Sequence, residues 1–366
     1  MRFPRPTLNW LLAAIPLALA LRYVTAWRND TALFVVSAIA LVPLAGWMGE
    51  ATEHLAARLG EGIGGLVNAS FGNAAELIIA LIALHAGRLE VVKASISGSI
   101  IGNLLLVFGA AALAGGWRHE SQRFNRTAAR AGSTALMLAA AALVIPSVFH
   151  HAAAERPGGW IPAASQRLSL AIAVILLATY VAMLVFSLGT HRRLYLGESD
   201  RADHETGSAA PWSWQRAAAT LLAATLAVAW LSEFLVDTVE AAQRSLGVSE
   251  TFVGVIIVAI VGNAAEHATA IRVALHDRMD LAIGIAIGSS LQIALFVAPV
   301  LVFASYGFSR QLSFEFTTPE IAAVALAVFL SGQIAGDGET NWVEGAQLLA
   351  LYAIIAGLFY FLPSVG

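Results

Sequence analysis

Long apolar runs, separated by short polar gaps, extend along nearly the whole chain. A membrane-spanning helix needs about 20 mostly apolar residues, and eleven runs come close to that length. The gap before the last run, Asp337–Asn341, is short and polar. The pattern predicts an all-α integral membrane protein. Its roughly eleven transmembrane helices are predicted near residues 8–26, 31–49, 66–86, 94–115, 128–149, 168–189, 215–236, 251–274, 281–304, 319–334 and 345–362.

The chain repeats itself after the first apolar run. Glu50 and Glu53 align with Asp237 and Glu240 at an offset of 187 residues, and a pentapeptide recurs at an offset of 190. Each half holds five helices, an odd number, so the second half should cross the membrane in the opposite sense. Inverted repeats of this kind are typical of secondary transporters, whose site lies near the midplane. The predicted parts are an N-terminal transmembrane helix (1–27), a first five-helix repeat (28–190), a linker (191–214) and an inverted second repeat (215–366).

The N-terminal residues and the basic residues predict the orientation. Arg2 and Arg5 before the first run, with Ala18–Ala20 inside it, resemble a secretion signal. The apolar stretch resumes after Arg22, however, so we expect a membrane helix. Thirteen of the 21 basic residues fall on the predicted side of the N-terminus, and basic residues favour the cytoplasmic side. We expect a multi-pass protein of the bacterial inner (plasma) membrane with a cytoplasmic N-terminus.

Composition narrows the class of protein further. Hydrophobic residues make up 58% of the chain and charged residues 12%, about half the charged fraction of a soluble domain. A net charge of −3 gives no electrostatic basis for binding nucleic acid. The absence of cysteine excludes disulfides and thiolate metal sites. We therefore expect the lipid bilayer as the main partner, no nucleic acid and no cofactor.

The pentapeptide Gly-Asn-Ala-Ala-Glu occurs at Gly72–Glu76 and again at Gly262–Glu266, each time inside an apolar run. An acidic residue at the bilayer centre costs about 2.5–3.5 kcal/mol on insertion scales. Its recurrence in the same local sequence predicts a paired ion site formed by Glu76 and Glu266. Inverted symmetry should bring the two carboxylates face to face near the midplane.

The other residues of the pentapeptide offer further oxygen ligands. Asn73 and Asn263 each lie three residues before the glutamate, on the same helix face. Gly72 and Gly262 weaken the helix there, so that backbone carbonyls can turn toward an ion. Carboxylate, amide and backbone oxygens without sulfur are the ligands of a hard cation such as Ca²⁺, which takes six to eight.

The helix after each pentapeptide adds polar side chains in an apolar setting. Ser99 and Asn103 lie in the first repeat, and Ser289, Ser290 and Gln292 lie in the second. One interpretation is a secondary ion or cavity site. The alternative is interhelical hydrogen bonding that holds the helices together.

Acidic residues also lie on helices 2 and 7. Glu50 and Glu53 are predicted toward the cytoplasmic end, and Asp237 and Glu240 toward the outer end. They can serve as a proton path or gate on the two access routes, or they are solvated helix ends. The linker carries a second group of acidic residues and is either a solvated tether or a calcium-sensing or gating helix. These residues are Glu198, Asp200, Asp203 and Glu205.

Two histidines directly follow a glutamate, His54 and His267. Adjacent helical positions point about 100° apart, so packing or hydrogen bonding is expected for both, with a proton relay as the alternative. No His-Glu-x-x-His motif is present, which argues against an intramembrane zinc protease.

Together, the doubled pentapeptide, the opposed five-helix halves, the extra first helix and the acidic linker resemble the Ca²⁺/H⁺ exchangers of the calcium/cation antiporter superfamily. The resemblance implies that Glu76 and Glu266 are the central calcium ligands, with Asn73 and Asn263 beside them. The Na⁺/Ca²⁺ branch typically has Ser or Thr and Pro within the matching motif. This chain has Asn and Ala there, which favours protons as the counter-ion.

The expected function is a secondary active antiporter that exchanges Ca²⁺ for H⁺, and not an enzyme. One Ca²⁺ or two protons would neutralise the carboxylate pair, whereas the empty pair would bury uncompensated charge. Two alternatives within transport are a Na⁺- or K⁺-coupled exchanger and an exchanger of another divalent ion such as Mn²⁺. A cation channel with acidic rings is a third, and a membrane-embedded enzyme has no supporting motif.

Overall fold

The computed structural model describes residues 8–154, 162–191 and 212–362. Within these ranges eight helices are long and apolar enough to cross a membrane, and three further apolar helices are shorter. The prediction of an all-α membrane protein with about eleven helices is confirmed. In chain order they are α1 (Leu8–Tyr23), α2 (Asp30–Phe71), α3 (Ala74–His85), α4 (Leu89–Arg118), α5 (Arg126–Ala154), α6 (Ala163–Thr190), α7 (Trp214–Leu246), α8 (Glu250–Ala274), α9 (Met279–Ser305), α10 (Thr318–Ile334) and α11 (Trp342–Phe361).

Helix α2 is longer than the sequence pattern predicts. The chain is helical from Asp30 to Phe71, where the pattern predicts separate helices near 31–49 and 66–86. Alanine, leucine, glutamate and arginine between the two runs favour helix, so the connection is helical as well. A Cβ on Gly64 would overlap the carbonyl oxygen of Ala56, eight residues earlier. The helix axis therefore bends sharply between them and returns the chain toward the membrane.

Side-chain caps determine where several helices begin. Ser213 accepts a hydrogen bond from the Arg216 amide at 3.2 Å at the start of α7. Thr317 and Glu320 form a capping box at α10, and Asn341 forms one at α11. Each cap satisfies amide groups that the first helical turn leaves without an intrahelical partner.

Small residues allow helices of the two halves to approach closely. Gly98 on α4 is buried against α8, and a Cβ at this position would overlap the backbone of Val255. On the same face, Gly254 packs against Ala94. Because lipid tails are as apolar as leucine, such close backbone packing is a main source of helix association in membranes. It fixes α4 against α8, the helix that carries the second pentapeptide.

Alternate crossing of the helices defines two sides of the molecule. The start of α1, the ends of α6 and α7 that flank the linker, and the α4–α5, α8–α9 and α10–α11 connections lie on one side, called the linker side; the opposite one is the far side. On the linker side, β1 (Gln122–Arg123) pairs antiparallel with β2 (Glu339–Thr340). The Gln122 amide also donates to the Ala274 carbonyl at 2.9 Å. These contacts join three connections between helices into one unit.

Some predictions are not tested by the structure. The acidic linker residues lie outside the described residues, as does the first part of the N-terminal segment. The division into an N-terminal helix and two five-helix repeats stays a prediction. The linker residues concerned are Glu198, Asp200, Asp203 and Glu205.

Candidate functional site

A cavity of about 1470 Å³ enters the protein from the linker side. Residues near the bend of α2 and at the linker-side ends of α8 and α9 line its outer part, including Glu53, Arg272 and Asp280. Both pentapeptide glutamates, Glu76 and Glu266, line the cavity deeper in the protein. The two predicted ion-site carboxylates therefore share one space that is reached from one side.

The two carboxylates approach each other across the second pentapeptide. A Cβ on Gly262 would lie 3.0 Å from Glu76 Cγ and 3.6 Å from its Oε1. Gly262 and Glu266 are four residues apart on α8 and share a face, so the Glu76 side chain lies against the turn that carries Glu266. The smallest residue at position 262 makes room for this approach.

The two pentapeptides have different backbones. In the first half, Gly72 and Asn73 form a turn between α2 and α3, with Asn73 as the N-cap residue of α3. In the second half, α8 runs without interruption through Gly262 and Asn263. The expected weakening of the helix is therefore present at Gly72, whereas the helix is intact at Gly262. The predicted helix near 66–86 is divided at this turn.

A buried hydrogen-bond network joins the two pentapeptides to the helices that follow them. Asn73 donates to Gln292 Oε1 at 2.6 Å and accepts from Ser289 Oγ at 2.8 Å. Asn103 Nδ2 donates to Ser289 Oγ at 3.0 Å and to Asn263 Oδ1 at 3.1 Å. Asn73, Ser289 and Asn103 are therefore parts of one continuous chain of polar groups.

The network has the same plan in both halves. Asn73 of the first pentapeptide bonds α9 of the second half. Asn263 of the second pentapeptide bonds α4 of the first half, accepting from Asn103 and donating to Ser99 Oγ at 3.1 Å. Asn73 thus connects the first pentapeptide to α9, and Asn263 connects the second pentapeptide to α4. The two halves are therefore joined by buried polar contacts, which favour one specific arrangement of the helices.

Two buried acceptor oxygens near the network have no hydrogen-bond partner among the described residues, Glu266 Oε2 and Asn103 Oδ1. Such oxygens cost free energy when nothing binds them. Within the described part of the chain, no cluster of three or more His, Cys, Asp or Glu side chains could hold a metal. A cation between Glu76 and Glu266 would therefore need amide, hydroxyl or water oxygens to reach six ligands.

The site is closed toward the far side. Beyond Glu76 lies a space of only about 10 Å³, which is at most enough for one water molecule. Isoleucine and valine side chains of α3, α4, α8 and α9 surround it. The apolar residues of this closure are Ile79, Ile96, Val258, Ile293 and Val297.

The acidic residues of α2 and α7 have different surroundings. Glu50 and Glu53 line the open cavity on the linker side. Asp237 and Glu240 lie on the far side, where Arg22 Nη2 is 2.8 Å from Asp237 and Arg88 Nη2 is 3.1 Å from Glu240. The first pair is therefore open to the cavity, and the second pair is ion-paired.

Three other candidate residues lie beside the cavity without lining it. Ser290 is buried and donates to the Ala286 carbonyl of its own helix at 2.9 Å. His54 stacks on Trp212, with ring centroids 4.5 Å apart. His267 Nε2 is enclosed and has no partner among the described residues. Stacking thus accounts for His54, and a helix-internal bond accounts for Ser290.

The cavity also contains polar residues that the sequence gives little reason to select. Asn68 precedes the first pentapeptide by one helical turn, and Thr269 and Arg272 follow the second on α8. Asp280 accepts a hydrogen bond from the Asn125 amide. Spacing of three or four residues from the pentapeptides is the signal that would select Asn68 and Thr269.

Comparison with known proteins gives a consistent result. The family model described as "Sodium/calcium exchanger protein" matches residues 30–189 and 216–361. A Synechocystis protein called "Ca(2+)/H(+) antiporter" is 44% identical over 370 residues, which cover 97% of each chain. A Bacillus subtilis protein called "Ca(2+)/H(+) antiporter ChaA" is 47% identical over 331 residues, covering 90% of this chain and 92% of that one.

Solved structures agree with the fold. The structure called "Structure of native YfkE" is 42% identical and has a TM-score of 0.82, with 97% of this chain and 100% of that chain covered. The structure called "Crystal Structure of H+/Ca2+ Exchanger CAX" has a TM-score of 0.67 at 15% identity, covering 96% and 91%. The second likeness concerns the fold alone.

Proposed function

The chain belongs to the sodium/calcium exchanger protein family, and on this premise we propose that it exchanges Ca²⁺ for H⁺ across a membrane. Relatives whose sequences are 44% and 47% identical to it over the aligned residues are called Ca²⁺/H⁺ antiporters. The observation that carries the proposal is the single cavity shared by Glu76 and Glu266. The protein is a secondary transporter and not an enzyme.

Glu76 and Glu266 bind Ca²⁺ or protons in turn. One divalent cation or two protons neutralise the pair, and a neutral pair is compatible with closure from water. The empty, doubly ionised pair would bury two uncompensated charges, which is strongly unfavourable. The binding site is therefore exposed to one side of the membrane and then to the other (alternating access) only when it holds Ca²⁺ or protons. The empty site does not make this change, so ions are exchanged without a leak.

The neighbouring polar residues position the carboxylates and complete the shell around the ion. Asn73 and Asn263 hold the two pentapeptides to α9 and α4. The turn at Gly72–Asn73 interrupts the helix one turn before Glu76, and Gly262 gives Glu76 room to reach α8. The further polar residues of the site are Asn103, Gln292, Ser99 and Ser289, while Ser290 serves the helix.

Glu50 and Glu53 attract cations to the open cavity and pass protons from it. Asp237 and Glu240 have the equivalent task on the far side. The protein lies in the bacterial plasma membrane with its N-terminus and linker in the cytoplasm, because most basic residues are on that side. The structure then has its cavity open to the cytoplasm.

Protons are the counter-ion because the pentapeptides offer no hydroxyl groups for Na⁺. Asn and Ala occupy the central positions of both. Exchange driven by Na⁺ or K⁺ and transport of Mn²⁺ are the alternatives that the experiment must separate.

The test is the pH change that Ca²⁺ triggers in vesicles reconstituted with the purified full chain. We expect Ca²⁺ to move protons in the opposite direction without added Na⁺ or K⁺. Competition by Mn²⁺ measures selectivity among divalent ions. Ca²⁺ uptake that requires a Na⁺ or K⁺ gradient, or Ca²⁺ flux without proton movement, would refute the proposal.

A further inference from the structure

The acidic residues on the far side of α7 are held by arginines from elsewhere in the fold. Arg22 Nη2 lies 2.8 Å from Asp237, and Arg88 Nη2 lies 3.1 Å from Glu240. Arg22 is near the end of α1, and Arg88 is in the connection between α3 and α4. Both pairs therefore tie α7 to other elements. Arg244, which is 2.5 Å from Glu240, belongs to α7 itself and moves with it.

In the part of the chain that the structure describes, the sequence-related acids on α2 have no such partners. Glu50 and Glu53, which align with Asp237 and Glu240, line the open cavity. Among the described residues, neither forms an ion pair with a lysine or an arginine. The acids are thus bridged to other elements on the closed side and unbridged on the open side.

Inverted repeats relate the two states of a transporter, because each half can adopt the arrangement of the other. Glu50 and Glu53 line the cavity when the linker side is open. By the same relation, Asp237 and Glu240 line a cavity when the far side is open. Arg22 and Arg88 cannot keep their present contacts if α7 separates from α1 and from the α3–α4 connection.

We propose that Arg22 and Arg88 form a far-side latch, which stabilises the state open to the linker side and releases Asp237 and Glu240 as the far side opens. The latch has a second effect on the charge of the access route. While it is closed, the arginines cancel the negative charge that would attract cations to a closed site. When the latch opens, the negative charge of Asp237 and Glu240 can attract cations. The inference rests on the proposed exchange by alternating access.

The expected size of the effect is modest, since the partners are partly exposed. The Arg22 and Asp237 side chains are 31% and 50% exposed. A single ion pair at such a position shifts an equilibrium by about two- to fivefold. The latch thus biases the two states without locking either, as a transporter that must cycle requires.

Because the chain has no cysteine, a single introduced cysteine can report which side is open. Ser95 lines the small closed space beyond Glu76, and its hydroxyl donates to the Val92 carbonyl of its own helix at 2.9 Å, so Ser95→Cys places a thiol in this space without breaking a contact between helices that the structure describes. Thr269→Cys lies in the open cavity. The full chain, in membrane vesicles, is treated with an impermeant maleimide from each side in turn.

The test variant is Arg22→Asp, and the matched control is Arg28→Asp. Arg28 is also on the far side, but its partner Asp30 is two residues away, at 3.3 Å. This pair does not join two different helices, so breaking it should not change how the helices contact each other. We expect Arg22→Asp to raise far-side labelling of Ser95→Cys about two- to fivefold and to lower linker-side labelling of Thr269→Cys. The double variant Arg22→Asp with Asp237→Arg restores the pair and should restore both rates.

Equal labelling in the Arg22→Asp and Arg28→Asp variants would overturn the latch, and so would failure of the charge swap to restore the rates. High salt gives a test that needs no latch variant, because it screens exposed pairs and should raise far-side labelling of Ser95→Cys. A salt-independent rate counts against the latch. Proton exchange by the otherwise unaltered chain, measured in parallel, tests the proposed function separately.

Discussion

Asn103 donates a hydrogen bond from Nδ2 to Ser289 Oγ at 3.0 Å, and the two residues are 186 positions apart. Gly98 and Gly102 on α4 align with Gly284 and Gly288 on α9 at the same offset, so the bond joins equivalent positions of the two predicted repeats. Asn103 is fully buried and Ser289 nearly so. The halves therefore meet through a polar contact in the membrane interior, beside the two carboxylates.

Replacing Ser289 by alanine should loosen this contact. The change leaves Asn73 Oδ1 without its donor and Asn103 Nδ2 with one acceptor fewer. An unsatisfied buried polar group costs about 1–3 kcal/mol. We expect a lower thermal unfolding temperature in detergent and slower Ca²⁺-dependent proton movement.

Ser290→Ala is the matched comparison, because among the described residues the Ser290 hydroxyl bonds only the Ala286 carbonyl of its own helix. It should lower the unfolding temperature and the transport rate much less than Ser289→Ala does. Equal effects of the two alanines would show that the contact between the halves has no special importance.

Glu76→Gln and Glu266→Gln should each abolish Ca²⁺-dependent proton movement. Glutamine keeps the shape of the side chain but neither ionises nor exchanges protons at this position. The measurement is the pH change in vesicles after a Ca²⁺ pulse, with folding checked by gel filtration. Glu120→Gln, at an exposed position on the linker side, should transport normally. Exchange at the normal rate in either cavity variant would exclude the paired-carboxylate site.

The helices can be predicted from the sequence because they depend on local physics. An apolar run of about 20 residues is helical, since a helix forms all of its backbone hydrogen bonds within the run itself. A glutamate in such a run, as at Glu76 and Glu266, is costly enough to indicate function. The alignment of the two pentapeptides then gives the pairing of the halves.

Other features depend on contacts between distant parts of the chain, and the sequence gives no local signal for them. The pentapeptides are identical, yet the first is interrupted at Gly72–Asn73 while the second is helical. A transporter that is open to one side places its halves in different conformations, and identical sequence cannot reveal which half is bent. The Arg22–Asp237 pair joins residues 215 positions apart, beyond any helical spacing rule.

Neutralising Glu50 and Glu53 together should weaken the capture of Ca²⁺ at low salt. Both line the open cavity, and their negative charge raises the local cation concentration. The double variant Glu50→Gln with Glu53→Gln should need more Ca²⁺ for half-maximal exchange. The difference should shrink as salt rises toward about 1 M, where the screening length is about 3 Å.

Glu339→Gln is the control for this effect, since Glu339 is exposed on the same side but pairs with Arg123 and does not line the cavity. A difference that persists unchanged at high salt would mean that the two glutamates act on Ca²⁺ by direct contact and not through their field.

The last prediction concerns the space that Gly262 leaves for Glu76. In Gly262→Ala the new Cβ would lie 3.0 Å from Glu76 Cγ, so the carboxylate must shift by a few tenths of an ångström. Small displacements of positioned groups have large effects on binding and rate, and we expect about a three- to tenfold rise in the Ca²⁺ concentration for half-maximal exchange. Gly284→Ala is the matched variant, because Gly284 also lines the cavity on a helix, and a Cβ there meets nothing within 4 Å. Alanine is favoured over glycine in a helix, so Gly284→Ala should be at least as stable as the parent protein and bind Ca²⁺ with the same affinity. If Gly262→Ala also keeps the parent affinity, the approach of Glu76 to α8 is not what forms the ion site.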